Sequence, residues 1–428
     1  MDRRTRFLIA RAAAAAVTAS ALRPRARFGR AAPFEFVLGV PTSEMPLQVG
    51  ALQGALALVG ARRGGARGWQ GLAGLGLSAA SAAGLWRLHR DAQASEQVLE
   101  DALVAALGPG YRNEITEPFT PAPDAPVTRR SVLLPAFARR SRYTLPTGRD
   151  LSYGDAGRRN HLDVWRRADL PDDAGAPVLL QVHGGGWVIG QKVGQAHPLM
   201  AHLADRGWVC VSINYRLSPR ATWPEHIVDV KRAIAWTRAH IADHGGDPGF
   251  LAISGGSAGG HLAALAALTP GLAAFQPGFE DEDTSVVAAV PFYGVYDFTN
   301  RNHDANRGLE ELLAKRVIKT RLADDRATWD LASPMSHVRP DAPPFFLLHG
   351  TNDTLVPIEH GRAFARMLRE TSRQPVAFAE LPRAQHAFDT LPSVRAYHTV
   401  RAVERFLAVV RSQRGGVTPA EAVGADRA

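Results

Sequence analysis

The stretch Phe250–Leu262, FLAISGGSAGGHL, is a short apolar run that breaks at Gly255-Gly256-Ser257-Ala258-Gly259 and resumes as an Ala- and Leu-rich helix. The pattern G-x-S-x-G between a strand and a helix predicts a nucleophile elbow. This is a strained turn whose flanking residues must be small, because a side chain there would meet neighbouring backbone. The turn aims the Ser257 oxygen outward. It also sets the Ala258 amide at a helix N-terminus, where unpaired N–H groups and the helix dipole favour negative charge. A glycine-rich turn with an incidental serine has the same five residues, so the rest of the chain must decide between the two.

Outward from this stretch, strand and helix signals alternate. Strands are predicted at His161–Trp165, Pro177–Val182, Trp208–Tyr215, Phe250–Ser254, Val286–Tyr293, Pro344–Leu348 and Val376–Leu381. Helices are predicted at Pro224–His244, Ala258–Leu268, Glu359–Glu370 and Arg395–Val410. Such alternation predicts an α/β fold with a mostly parallel sheet covered by helices on both faces. The segment 297–342 interrupts it. Leu309, Leu312, Leu313, Val317 and Ile318 at helical spacing make that segment a lid insertion over the carboxyl edge of the strands, where open α/β sheets bind ligands. The catalytic domain is placed at 146–411, and residues 412–428, which lack an apolar pattern, form a loose tail.

Two further motifs fall where acyl-transfer chemistry needs them. His183-Gly184-Gly185-Gly186-Trp187 follows a buried strand. Consecutive glycines let backbone amides approach a ligand with no Cβ in the way, as an oxyanion hole requires. A phosphate loop is excluded because Gln191 separates Gly190 from Lys192 and no Ser or Thr follows. A dinucleotide loop is excluded because GGGWVI at 184–189 lacks the G-x-G-x-x-G spacing. A purely structural turn is the alternative.

A serine hydroxyl needs a base, and the base needs a carboxylate to hold its tautomer, in the chain order serine, acid, histidine. Asp353, in HGTNDTLVP after one strand, and His386, in QHAF after the next, meet that order. Asp297 is the rival acid, while His261, His349 and His360 are rival histidines with structural roles expected.

Net charge is +9, but residues 1–90 carry 13 Arg, no Lys and 3 acids, a balance of +10, so the remainder is nearly neutral. With no zinc-finger or helix-turn-helix signature, this pattern argues for membrane topology rather than nucleic acid. Phe7–Leu22 is alanine-rich but contains Arg11, and with Ala19-Ser20-Ala21 it is also similar to a secretory signal. Met45–Ala61 and Gly68–Trp86 are uncharged and near the ~20 residues of a spanning helix. Gly50 and Gly54, with Gly76, Ala80 and Gly84, would let these two approach as a hairpin. The alternative is a set of soluble helices packed on the catalytic domain. Residues 1–90 are thus read as a membrane-associated helical segment, with the side of the catalytic part left open. Residues 91–145 are read as an amphipathic helix (Val98, Leu99, Leu103, Leu107) followed by a Pro-rich linker. Cys210, the single cysteine, excludes an internal disulfide and is expected to be a buried, inert thiol.

Taken in order, HGGGW, NYRLSP, GGSAGG, HGTNDTLVP and QHAFD resemble the α/β-hydrolase esterases of the hormone-sensitive-lipase-like group, especially the membrane-associated carboxylesterases of mycobacteria and related actinobacteria. The resemblance covers residues 145–410. It implies Ser257 as nucleophile, His386 as base and acid, Asp353 as its orienting partner, and Gly185, Gly186 and Ala258 as oxyanion donors, with Gly184 as a fourth candidate. Many members carry Asp at the positions of Gly256 and Asn214 and Glu at that of Arg220. The function implied is hydrolysis of short- to medium-chain acyl esters or lipids with no metal or organic cofactor, and Trp187, Phe292, Tyr293 and Tyr296 are candidate substrate contacts. The same triad could serve an acyltransferase or an arylformamidase-type amidase, and a non-catalytic binding module is the third alternative.

Overall fold

The computed structural model describes residues 1–25, 32–115, 140–301 and 307–415. Its sheet has eight strands: β1 (Leu151–Ser152), β2 (His161–Trp165), β3 (Ala176–Val182), β4 (Val209–Ile213), β5 (Gly246–Gly256), β6 (Ala289–Phe292), β7 (Phe345–Gly350) and β8 (Val376–Leu381). Their order is β1-β2-β4-β3-β5-β6-β7-β8; β1 and β2 pair antiparallel and β4 through β8 run parallel. Successive side chains of a strand point to opposite faces. Accordingly Val178, Leu180 and Val182 enter one apolar cluster and Leu179 the other; Leu251 and Ile253 enter the first, and Phe250 and Ala252 the second. Both faces are buried, which explains why these strands read as continuous apolar runs. Cys210 lies wholly inside the second cluster, and burial pushes its thiol well up.

Helices α1 (Arg3–Leu22), α2 (Ala32–Glu44), α3 (Pro46–Gly60) and α4 (Gly68–Leu107) precede the sheet. Within and after it come α5 (His197–Asp205), α6 (Glu225–His240), α7 (Ala258–Leu268), α8 (Arg307–Leu312), α9 (Arg326–Leu331), α10 (Ile358–Thr371) and α11 (Val394–Gly415). One face of the sheet is covered by α6, α7 and α10, through residues such as Ile234, Leu262 and Phe364. The other is covered by α5, α11 and the last turns of α4, through Met200, Phe406, Leu99 and Leu103. The described residues of segment 297–342 include α8 and α9 and bury Trp329 and Val317. Ser412–Gly415, expected as tail, continue α11; most of the expected linker and tail lie outside the described residues.

The domain boundary expected at residues 90 and 91 is corrected. Gly68–Trp86 does not end as a separate span but is the first half of the 40-residue α4, whose second half is the amphipathic stretch. The backbone continues because no Gly or Pro interrupts residues 85–107; only the composition changes there. The Met45–Ala61 and Gly68–Trp86 helices do pack together, with a Cβ at Gly50 falling 3.6 Å from Leu85 Cδ1. The small residues of α4 chiefly serve α1: a Cβ at Gly74 would fall 2.7 Å from Phe7 and one at Gly84 2.8 Å from Thr18, whereas Gly54 and Gly76 face open space.

Polar groups close this bundle. Arg11 Nη1 donates to Gln53 O (2.8 Å), and Ser81 Oγ lies 2.7 Å from both Thr18 Oγ1 and Gln53 Oε1. Among the described residues one helix, α1, is long and apolar enough to cross a membrane by length and composition.

Candidate active site

Ser257 links β5 to α7 with φ 58° and ψ −121°. That region is strained for a non-glycine residue, at a cost of about 1–3 kcal/mol. The turn is held from both sides: Ser257 N donates to Phe292 O (3.0 Å), and Ser257 O accepts from His261 N (2.9 Å). Gly259 lies so close to the backbone of β3 that a Cβ would sit 2.7 Å from His183 O. Gly256 and Ala258 are buried while Ser257 is partly exposed, so the hydroxyl is reachable.

The loop after β3 folds back on itself, with Val188 N and Ile189 N donating to Gly185 O (3.1 and 3.0 Å). This bend places Gly185 at φ 122° and Gly186 at φ 58°. Gly184 abuts the elbow, since a Cβ on it would lie 3.2 Å from Ser257 Cβ. Its amide is not available as a fourth donor, because it donates to Gln195 Oε1 at 2.7 Å. Among the described residues, the amides of Gly185, Gly186 and Ala258 have no protein acceptor. Leu312 of α8 stands over Gly186, 3.6 Å from where a Cβ would be.

His386 Nδ1 donates to Asp353 Oδ2 at 2.6 Å, and both side chains are buried. Asp353 Oδ1 accepts from the amides of Leu355 and Val356, each at 2.8 Å. Burial alone would raise the Asp353 carboxyl. The charge of His386 and hydrogen bonds from His349 and His386 outweigh it and hold the carboxyl well below its usual range. Asp297 is engaged elsewhere, by Thr299 N and Oγ1 and by the Arg301 guanidinium. His261 Nδ1 accepts from Trp187 Nε1 (3.2 Å), so its other nitrogen donates to Ala332 O (2.8 Å). His349 was expected only to end a strand, yet its Nε2 lies 3.4 Å from Asp353 Oδ2.

Trp187 and Tyr293, expected as substrate contacts, are both buried, at 1% and 3% exposure. Trp187 is buried edge-on against His261 and Phe298. Tyr293 lies 4.5 Å from the His386 ring, and its hydroxyl donates to Asp389 in a very short bond. A Cβ on Gly256 would be 2.8 Å from Tyr293 Oη, so the tyrosine occupies the space beside the elbow. Trp187, Ser257, Tyr293 and Ala387 all have positive φ, which concentrates backbone strain around one site. Sequence reasoning missed Asn352, Gln385 and Phe36, although the first two adjoin Asp353 and His386. No cluster of three or more His, Cys, Asp or Glu side chains that could hold a metal occurs among the described residues.

An elbow serine, a set of open amides and an Asp-bonded histidine at the carboxyl ends of a parallel sheet define a serine hydrolase of the α/β-hydrolase fold. The BD-FAE family model matches residues 162–368. The probable carboxylic ester hydrolase LipM of Mycobacterium tuberculosis is 48% identical over 97% of this chain and 96% of its own length. Esterase LipQ of the same organism is 49% identical over 76% and 77%. Among solved structures, a butyrate-bound esterase, Est2 of Thermogutta terrifontis, aligns with TM-score 0.53 and 28% identity over 64% of this chain and 96% of its own. A carbohydrate esterase from gut microbiota shares the fold, with TM-score 0.54 at 22% identity over 64% and 99%. The chain belongs to the hormone-sensitive-lipase-like carboxylic ester hydrolases, and it is a serine esterase acting on small-molecule esters.

Proposed function

We propose that Ser257, His386 and Asp353 form the catalytic triad and that the amides of Gly185, Gly186 and Ala258 form the oxyanion hole. The observation that carries this is the His386–Asp353 bond. It fixes the proton on Nδ1 and leaves Nε2 with a lone pair to take the Ser257 proton. Ser257 Oγ then bonds to the ester carbonyl carbon, and the three amides hold the developing oxyanion. His386 returns its proton to the departing alcohol, leaving an acyl-serine. A water, deprotonated by the same nitrogen, releases the acid and restores Ser257.

Short- to medium-chain acyl groups are the proposed substrates, supported by the butyrate in the Est2 structure. The test is a p-nitrophenyl ester series, acetyl to palmitoyl, on the full chain. A rate peaking at a short or medium chain and falling on the order of 10⁶-fold in Ser257→Ala is expected, as when a nucleophile is deleted from a triad. A rate untouched by that substitution would reject Ser257 as nucleophile.

We further propose that the N-terminal helices bind a lipid surface. Phe34 (74% exposed), Val37 (63%), Trp69 (70%) and Leu72 (69%) are large apolar side chains left facing outward, and Arg62, Arg63 and Arg67 lie between α3 and α4. Apolar contact backed by cations suits an anionic bilayer. Full-length protein should float with phosphatidylglycerol-containing vesicles, and a Phe34→Asp/Trp69→Asp/Leu72→Asp variant should stay at the bottom of the gradient.

A further inference from the structure

The acid and the base sit on two different loops, and their relative position depends on residues that touch neither the serine nor any substrate atom. Gln385 is almost fully buried. Its Oε1 accepts from Thr354 N (2.9 Å), Thr354 Oγ1 (3.2 Å) and His386 N (2.8 Å). A single side-chain oxygen therefore ties the residue after Asp353 to the backbone of His386.

The residue before Asp353 reaches in the opposite direction. Asn352 Nδ2 donates to Ala21 O (2.9 Å) and Leu22 O (3.1 Å), carbonyls at the end of α1 that have no helical partner. Helix α2 closes the same corner. Thr354 Oγ1 lies 3.4 Å from Ala32 O, the Phe36 ring meets His386 edge-on at 5.9 Å, and a Cβ on Gly39 would lie 3.1 Å from Gln385 Nε2.

We infer that Gln385 and Asn352 are positioning residues through which α1 and α2 become part of the catalytic site. Gln385 holds the two loops at the separation that the His386–Asp353 bond needs, and Asn352 anchors the acid loop to the end of α1. The inference rests on the triad reading above. A lateral error of about 1 Å in such a pair can cost on the order of 10²-fold in rate. A loosened carboxylate also stabilises the imidazolium less, which lowers the pKa of the base.

The test uses the full chain and p-nitrophenyl butyrate, with active sites titrated by a fluorophosphonate so that rates refer to folded, reactive protein. Gln385→Met and Asn352→Ala should lower kcat per titrated site roughly 10- to 10²-fold. KM should stay within about threefold, as for a loss confined to the transition state. The acid limb of kcat/KM should move to lower pH. Gln385→Glu keeps the acceptor oxygen and should recover most of the rate.

Gly39→Ala loads Gln385 from α2 while improving helix propensity, so kcat should fall several-fold without loss of thermal stability. If kcat per titrated site and the acid limb are unchanged in Gln385→Met, Asn352→Ala and Gly39→Ala, the inference is overturned. Wild-type protein that fails to label at Ser257 would overturn the triad reading and this inference with it. Labelled wild type with unchanged variants overturns the inference alone.

Discussion

At the scale of single residues, the orientation of Asp353 is set by its backbone partners. Because Oδ1 is held by the amides of Leu355 and Val356, an asparagine at 353 would keep its oxygen there and turn its amide nitrogen toward His386 Nδ1. The imidazole would then carry its proton on Nε2, the wrong side for accepting from Ser257. Asp353→Asn should lower kcat on the order of 10⁴-fold, with the change in KM small. Circular dichroism should show an intact fold, and steady-state kinetics would check the loss. Tyr293 supports a different prediction. Its hydroxyl is the bonded partner of Asp389, whose carboxyl burial pushes up despite that bond. Tyr293→Phe leaves a buried carboxylate short of a donor and should cost about 1–3 kcal/mol in urea unfolding at pH 8. A group with a raised folded pKa loses stability as pH rises, so the difference between mutant and wild type should shrink as pH falls toward the raised pKa of Asp389.

At the scale of elements, the N-terminal layer is fastened to the catalytic fold by a charge pair in a dry place. Glu44, at the end of α2, and Arg395, in the first turn of α11, are both fully buried and in direct contact. Ser393 and Ser95 add hydrogen bonds to the pair. Burial still pushes the Glu44 carboxyl up, and Arg395 offsets this only in part. Removing one partner strands the other, so Arg395→Met should destabilise the protein by about 3–5 kcal/mol. Adding Glu44→Leu should restore much of that loss, and chemical denaturation of the single and double variants would measure both. The sequence disclosed the sheet and the elbow because their signals are local: strands buried on both faces are continuous apolar runs, and β7 and β8 were located to within two residues. It also singled out Asp353 and His386, each in a loop just past a strand, which the structure brings to 2.6 Å of each other. It did not disclose α4 as one helix, because composition changes near residue 90 while the backbone does not. Nor did it disclose α5, whose nine residues are too few for a periodic pattern. Glu44 reads as an ordinary surface acid until α11, about 350 positions away, is placed beside it. The roles of Asn352 and Gln385 stayed hidden for the same reason, since their partners are distant in the chain.

At the scale of the whole molecule, buried histidines that do no chemistry should make stability fall with pH. Three of them, His183 just after β3, His226 in α6 and His261 in α7, lie buried. Each is held neutral chiefly by burial, which pushes its pKa down to about 4, about 3 and about 3 respectively. In the unfolded chain the same groups titrate near ~6.5. Their folded values are lowered, so below pH ~6.5 the unfolded state binds more protons than the native one. Stability is therefore fully present above that pH and is lost progressively as pH falls toward the folded values. Each group contributes a slope of up to about 1.4 kcal/mol per pH unit, so the three together should remove about 4 kcal/mol between pH 8 and pH 5.5. Against a typical total of about 5–15 kcal/mol this is a large fraction. Glu44 and Asp389, raised by burial, act in the opposite sense as pH falls toward their folded values. The Asp353 carboxyl is not the source of the loss, because it stays ionised far below this window. Urea unfolding at half-unit steps from pH 8 to 5 should thus show a midpoint that falls steeply below pH 6.5. A profile flat across that range would mean that these histidines take up protons inside the folded protein, and that the packing around the elbow yields to admit the charge.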